Sequence, residues 1–481
     1  CSSDLTLMAY SASSKLSLKV KEKCHISPTP PLPLGDSHSL PLTFLDIPWL
    51  LFPPSQPLFF FQLPSTSSPS FFASTVVPKI KASLSSALEY FAPFAARLAA
   101  SEDSNKIKFV LDETASFSVP LTTAECDDGQ FEYLCGDYCQ KNANDLHQLV
   151  PNLQSLRTSC GLDHLSPLLA IQITYFPKGH GISIGVAHHR VVSDERTFNN
   201  FMHSWASFCK HGKLPPGLQP TFDRALILDP NGLEPILLNQ FWESEPGSII
   251  PTPATMGLGL VRSTFVMGPT HIAKAKQWIL AQCEKKNRTY PVLLSPYVVT
   301  CAFVWACLVK AQLESPAQTR IHKGPTYFGF IAGGITRLGY RVPVNYFGNC
   351  VGFGRAIAKR EELLSEDGIL VAADAIGQTI KKLDRDVLGE AGNWISDWEP
   401  IVGSDLHVNI VGSPKVDLYE VDFGWGKPKK IEENSIDVMR GISLTESREM
   451  KGGIEIGMAL PKSTMDAFSC RFTQGLLDFS L

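Results

Sequence analysis

Apolar residues alternate along Leu169, Ile171, Ile173 and Tyr175 and again along Ile182, Ile184 and Val186, with a Pro177–Gly181 turn between the two runs. This pattern predicts a β-hairpin. The period then changes: Phe198, Phe201, Met202, Trp205 and Phe208 recur at three and four residues, so a helix follows Asp194 and ends near Lys210, His211 and Gly212. A strand therefore hands directly to a helix N-terminus through HHRVVSD at 188–194. Upstream, Ile80, Leu84, Ala87, Leu88 and Phe91 predict an amphipathic helix from Pro78 that stops before Pro93. The apolar runs Leu42–Trp49 and Leu58–Leu63 read as short strands in an irregular, Pro- and Ser-rich segment spanning 26–70. In the second half, Ser295 and Pro296 start an apolar helix through Leu313, 326–358 holds strands between Gly/Pro turns, and Glu361–Leu388 is a charged amphipathic helical region. Tyr419–Lys427 is expected as a strand entering a glycine turn, with further strands at Gly441–Leu444 and Gly453–Leu460 and a last helix from Ser463. The mixed order of strands and helices predicts α/β or α+β halves. Residues 212–252, with PPGLQP, DPNG and IIPTP, are expected as a crossover loop between an N-terminal domain, 1–211, and a C-terminal domain, 253–481.

Composition agrees with a large buried core: 481 residues, 44% hydrophobic and 19% charged, favour two domains. A net charge of −4 without any basic run argues against nucleic acid as a partner. The 12 cysteines show neither CxxC spacing nor the density of a disulfide scaffold, so no metal is expected and reduced thiols in a cytoplasmic protein are. The N-terminus CSSDLTLMAYSASSKLSLKV lacks an unbroken apolar region, so no secretory signal is expected, and Met8 reads as the natural start with Cys1–Leu7 an addition. Tyr297–Leu313, interrupted by Thr300 and Lys310, is shorter than the ~20 residues of a membrane span and is expected as a buried helix. No membrane partner is expected, and the chain is expected to be a monomer.

Several short segments, in order, resemble the plant BAHD acyltransferase superfamily over nearly the whole chain: FLDIPWL at 44–50, YFAPFAARL at 90–98, PTFDR at 220–224, RSTF at 262–265, NYFGNC at 345–350 and DFGWG at 422–426. NYFGNC in particular is similar to the clade that moves malonyl or aromatic acyl groups from coenzyme A onto glycosides of flavonoids and related phenolics. The resemblance implies two similar chloramphenicol acetyltransferase-like domains, mixed sheets flanked by helices, with a channel between them that admits coenzyme A and acceptor from opposite sides. It also implies an HxxxD motif, in which a neutral histidine takes the acceptor's proton and the aspartate pairs with an arginine of the second domain.

This chain departs from that motif. Aligned without a gap, His188 stands where the family has Asn, His189 on the first His, Arg190 on the catalytic His and Asp194 on the Asp, giving RxxxD. A guanidinium, with a pKa above ~12, keeps its proton and cannot be a general base. His189 replaces it only if the strand bulges, because adjacent strand residues point to opposite faces. Glu195 stands where Gly usually follows the Asp, and Gly333–Arg337 carries Ile335 where the family has an arginine. Arg190 is read either as an ion-pair partner of Asp194 or as a donor to a substrate carboxylate or carbonyl. Asp194 is expected as structural support, His188 and Ser413 as residues near the substrate, and Asp422, Phe423, Gly424, Trp425 and Gly426 as a structural turn. The reading placed first is a small plant metabolite bound in the channel for repurposed chemistry that needs no histidine base: cyclisation, isomerisation, elimination or a pericyclic step. The alternatives are acyl-CoA-dependent O-acyl transfer, with acyl-CoA as co-substrate and no resident cofactor, and a non-catalytic binding protein.

Overall fold

The computed structural model describes residues 16–29, 39–101, 105–111, 117–127, 129–137, 140–158, 161–245, 259–314, 324–398 and 407–479. Two large mixed sheets organise these residues. The first is ordered Leu18–Ile26, Val119–Cys126, Leu169–Phe176, Gly181–His188, Pro57–Gln62 and Lys430–Glu433. The second runs Val351–Lys359, Pro325–Gly333, His407–Val411, Gly441–Glu446, Ile454–Pro461, Leu260–Met267 and Lys141–Asn142. Each mixes parallel and antiparallel neighbours and carries helices, the two-domain α/β architecture that the resemblance implies.

The edges of the two sheets are exchanged. Lys430–Glu433, from the second half of the chain, pairs with Pro57–Gln62, while Lys141–Asn142, from the first half, pairs with Leu260–Met267. The segment expected as a crossover loop contains the helix Leu233–Glu243, and its IIPTP run lies outside the described residues, as do the N-terminal stretch with Met8 and residues 30–38 of the Pro/Ser-rich segment.

The hairpin Leu169–Phe176/Gly181–His188 pairs in unbroken register from Phe176↔Gly181 to Leu169↔His188. The helix Glu195–His211 starts under the Asp194 side chain, which accepts from Thr197 N at 2.8 Å, and ends on Gly212 at φ +68°. Its apolar face packs on the helix Val77–Tyr90, where the buried Trp205 indole donates to Ser83 Oγ at 3.2 Å. That second helix extends an earlier helical run through a π-turn at Phe72–Val76. Ser295 Oγ accepts from Val298 N at the start of Pro296–Glu314. This helix is long and apolar enough to cross a membrane, but most of it is buried in the core. Nine cysteines fall among the described residues, and all are unpaired thiols.

Two predicted strands are not strands. Leu42–Trp49 forms a turn and the 3-10 helix Ile47–Leu51, because Asp46 accepts from both Thr43 N and Thr43 Oγ1 at 2.8 Å and Pro48 presets the first turn. Tyr419–Lys427 begins in the 3-10 turn Leu418–Glu420 and continues as a loop, since Gly424 and Gly426 sit at φ +108° and +110°, outside any strand conformation.

Candidate active site

Strand Gly181–His188 ends where His188 exchanges backbone hydrogen bonds with Ser55, and the chain then turns through His189–Val192 before the helix begins at Glu195. Three of the separated segments converge beneath this turn. Buried Asn349 donates through Nδ2 to the carbonyls of Arg190 (3.0 Å) and Val191 (3.1 Å) and to Asp46 Oδ1 (3.1 Å). Arg224 donates to Tyr346 Oη at 2.6 Å and to the Phe347 carbonyl at 2.8 Å, and its Nη1 lies 3.9 Å from Asp46. Gly348, at φ +126°, leaves room for that guanidinium: a Cβ there would sit 2.6 Å from Arg224 Nη1. FLDIPWL, PTFDR and NYFGNC thus form one brace that fixes the backbone of Arg190.

A cavity of about 440 Å³ opens above the brace, lined by His188, Arg190, Glu195, Ser413 and Glu433 among others from both sheets. Arg190 projects into it. Its Nε donates to the Pro53 carbonyl at 3.1 Å and its Nη2 to Ser435 Oγ at 2.9 Å, while Nη1 has no hydrogen-bond partner among the described residues. Ser435 in turn donates to Glu433 Oε1 at 2.6 Å. Burial pulls the Arg190 pKa down from its ordinary value and Glu433 and Glu195 draw it back up. A guanidinium so placed stays charged.

The expected Arg190–Asp194 ion pair does not form. Asp194 is occupied by Thr197 N, by Cys350 N at 3.1 Å and by Arg196 at 3.3 Å, because its cap geometry turns the carboxylate toward the helix and the second half. Its partner from the second half is thus a backbone N–H, and Arg337 pairs instead with Asp384 at 2.9 Å. His189 is not at the cavity either: the hairpin contains no bulge, its N–H donates to the Leu168 carbonyl, and its ring is buried outside the cavity lining, where burial pushes its pKa down to about 3. His188 does line the cavity, stacked at 4.5 Å on Phe198, and burial followed by the charge of Arg190 holds it at about 3.

Ser413 contributes through its backbone, whose N–H donates to Glu195 Oε1 at 3.1 Å. Glu195, noted from sequence only as a departure, is the cavity residue that sequence reasoning passed over; the available signal was a carboxylate where glycine is usual. Burial, then Glu433 and Asp194, raises its pKa to about 8, against the opposing pull of the Ser413 N–H and Arg190.

The DFGWG turn lies away from the cavity. Asp422 Oδ1 accepts from Gly424 N (2.8 Å) and Gly426 N (3.0 Å), its Oδ2 pairs with Lys210 at 2.6 Å, and buried Phe423 stacks on Trp425. Asp422→Ala is expected to lower stability by about 1–2 kcal/mol in denaturant titration, from the lost hydrogen bonds, and to leave turnover unchanged. A matching loss of turnover without a loss of stability would contradict a structural role.

The sequence model of the Transferase family matches residues 16–474. The chain is 35% identical over 473 residues to malonyl-coenzyme A:anthocyanin 3-O-glucoside-6''-O-malonyltransferase of Dahlia pinnata, covering 95% of this chain and 97% of that protein. It is also 35% identical over 477 residues to coumaroyl-CoA:anthocyanidin 3-O-glucoside-6''-O-coumaroyltransferase 1 of Arabidopsis thaliana, covering 96% and 98%. The fold is similar to the crystal structure of vinorine synthase, with a TM-score of 0.66 at 18% identity over 94% of this chain and 96% of that one.

Proposed function

The chain belongs to the BAHD acyltransferase superfamily, and on that premise we propose that it moves an acyl group from a coenzyme A thioester to a hydroxyl of a small phenolic glycoside or alcohol. One observation carries the reading: the residue at the strand–helix junction faces a cavity built from both sheets and braced by Asn349, so the reaction space survives although its histidine does not. The relatives named above, transferring malonyl and coumaroyl groups to anthocyanin glucosides, support this class of donor and acceptor. They favour acyl transfer over the repurposed, base-free chemistry placed first from sequence. Base-free chemistry rests on the absence of a proton acceptor, and Glu195 supplies a titratable group in the same cavity.

In the proposed role, Arg190 Nη1 holds the thioester carbonyl oxygen as negative charge develops on it, a task suited to a fixed cationic donor. Malonyl-, acetyl- and hydroxycinnamoyl-CoA, each incubated with phenolic glucosides, are expected to show acceptor-dependent release of free thiol and a product heavier by the acyl group. Conversion of an acceptor without any thioester, or binding without conversion, would overturn the proposal.

A further inference from the structure

Resting on the acyl-transfer reading, we propose that Glu195 is the catalytic base that takes the acceptor's hydroxyl proton in place of the missing histidine. The geometry is that of a held and aimed carboxylate. Oε1 is fixed by the Ser413 N–H at 3.1 Å, the backbone is fixed as the first residue of the helix Glu195–His211, and Oε2 makes no hydrogen bond among the described residues while the side chain lines the cavity with Arg190. The neighbouring cavity residues do not compete for the role. His188 is held near 3, stacked on Phe198 and met edge-on by Phe94, His189 is outside the cavity, and Glu433 is occupied on both oxygens by Ser55, Gln56 and Ser435.

The charged and titratable groups facing Glu195 are Arg190 from the turn, Asp194 before the helix, Glu433 from the exchanged strand and Tyr297 from the helix Pro296–Glu314. Burial outweighs Arg190 and raises the carboxyl to about 8, close to a working pH, where a base combines useful ionisation with useful basicity. The step balances without any further reagent. The acceptor oxygen forms its bond to the thioester carbon as its proton passes to Oε2, and the carbonyl electrons move onto the oxygen beside Arg190. Collapse then breaks the C–S bond, and the departing sulfur takes the proton back from Glu195, leaving ester, free coenzyme A and an ionised carboxylate.

Glu195→Gln keeps the size and the hydrogen bond from Ser413 but cannot accept the proton. We expect kcat/KM to fall ~10²- to 10⁴-fold and the rising limb of the wild-type pH profile, centred near 8, to disappear. A readout independent of activity accompanies these. A carboxyl raised in the folded state is protonated on folding, so the stability of the wild type relative to E195Q should decline as pH rises from about 4.5 to about 8 and be level above it. Wild-type thiol release with an unchanged rate and pH limb in E195Q overturns this inference alone; no thiol release from the wild type with any donor and acceptor overturns the acyl-transfer reading and this inference with it.

Discussion

Arg262→Met is expected to destabilise the protein by about 3–5 kcal/mol, the cost of stranding buried charges when one partner is removed. Arg262 is 1% exposed and lies where the two exchanged edges meet. Its Nη2 donates to Asp437 at 2.6 Å, its Nη1 and Nη2 to the Glu433 carbonyl at 3.1 Å, and its Nη1 lies 3.6 Å from Glu432. Lys141, directly opposite Arg262 in the ladder, reaches Glu432 at 2.7 Å. Burial alone would push the Glu432 carboxyl up, but Lys141, Lys430 and Arg262 together hold it at about 2. A carboxyl depressed in the folded state contributes stability that is present above its ordinary range, about 4.5, and is lost as pH falls toward 2. The penalty of Arg262→Met should therefore be largest near neutrality and shrink on acidification. Adding Asp437→Asn should recover part of it by removing one of the stranded charges. Denaturant midpoints at pH 7 and about pH 2.5 check this; a loss under ~1 kcal/mol at pH 7 would mean that the cluster does not hold the exchanged edges.

That cluster also marks where sequence stops being legible. The hairpin and the helix after Asp194 announced themselves because their hydrophobic periods, 2 and then 3.6, are local, and Asp194 and Gly212 punctuate the helix at both ends. Lys141–Asn142 is two residues long, and Lys430–Glu433 is KIEE, which alone reads as a solvated edge. Their charges are buried only because the other half of the chain supplies the counter-charges. The same limit shaped the reading of the site. The position of Arg190 followed from register with the family pattern, but its partners Pro53 and Ser435 are 137 and 245 residues away. The nearby acid Asp194 looked like the natural partner in sequence, while the cap geometry points it elsewhere. Glu195 was hidden for a related reason. A glutamate in the first turn of a helix is ordinarily a solvated residue favoured by the helix dipole, and only the cavity wall makes it a half-buried carboxyl.

Arg190→Met should reduce kcat by ~10²- to 10³-fold, as expected for removing one donor to a developing oxyanion, while the KM for the acyl donor changes little. The split follows from the role. A contact that strengthens only as the thioester carbonyl gains charge lowers kcat when lost, whereas a contact made equally to the resting donor would raise KM. The pH profile carries a second signature. Arg190 is one of the groups restraining the upward shift of Glu195, so losing its charge should move the rising limb above about 8. A purely structural arginine, tying Pro53 to Ser435, would lower stability on replacement without lowering kcat. Arg190→Lys tests the fork itself, since one ammonium cannot reproduce the geometry that serves Pro53, Ser435 and the cavity together, and it should fall close to the methionine variant despite keeping the charge. Stopped-time thiol release across pH 6–10, paired with thermal midpoints, separates these outcomes. Wild-type kcat in Arg190→Met would remove Arg190 from the acyl-transfer step and leave it as the strut between the turn and the exchanged strand.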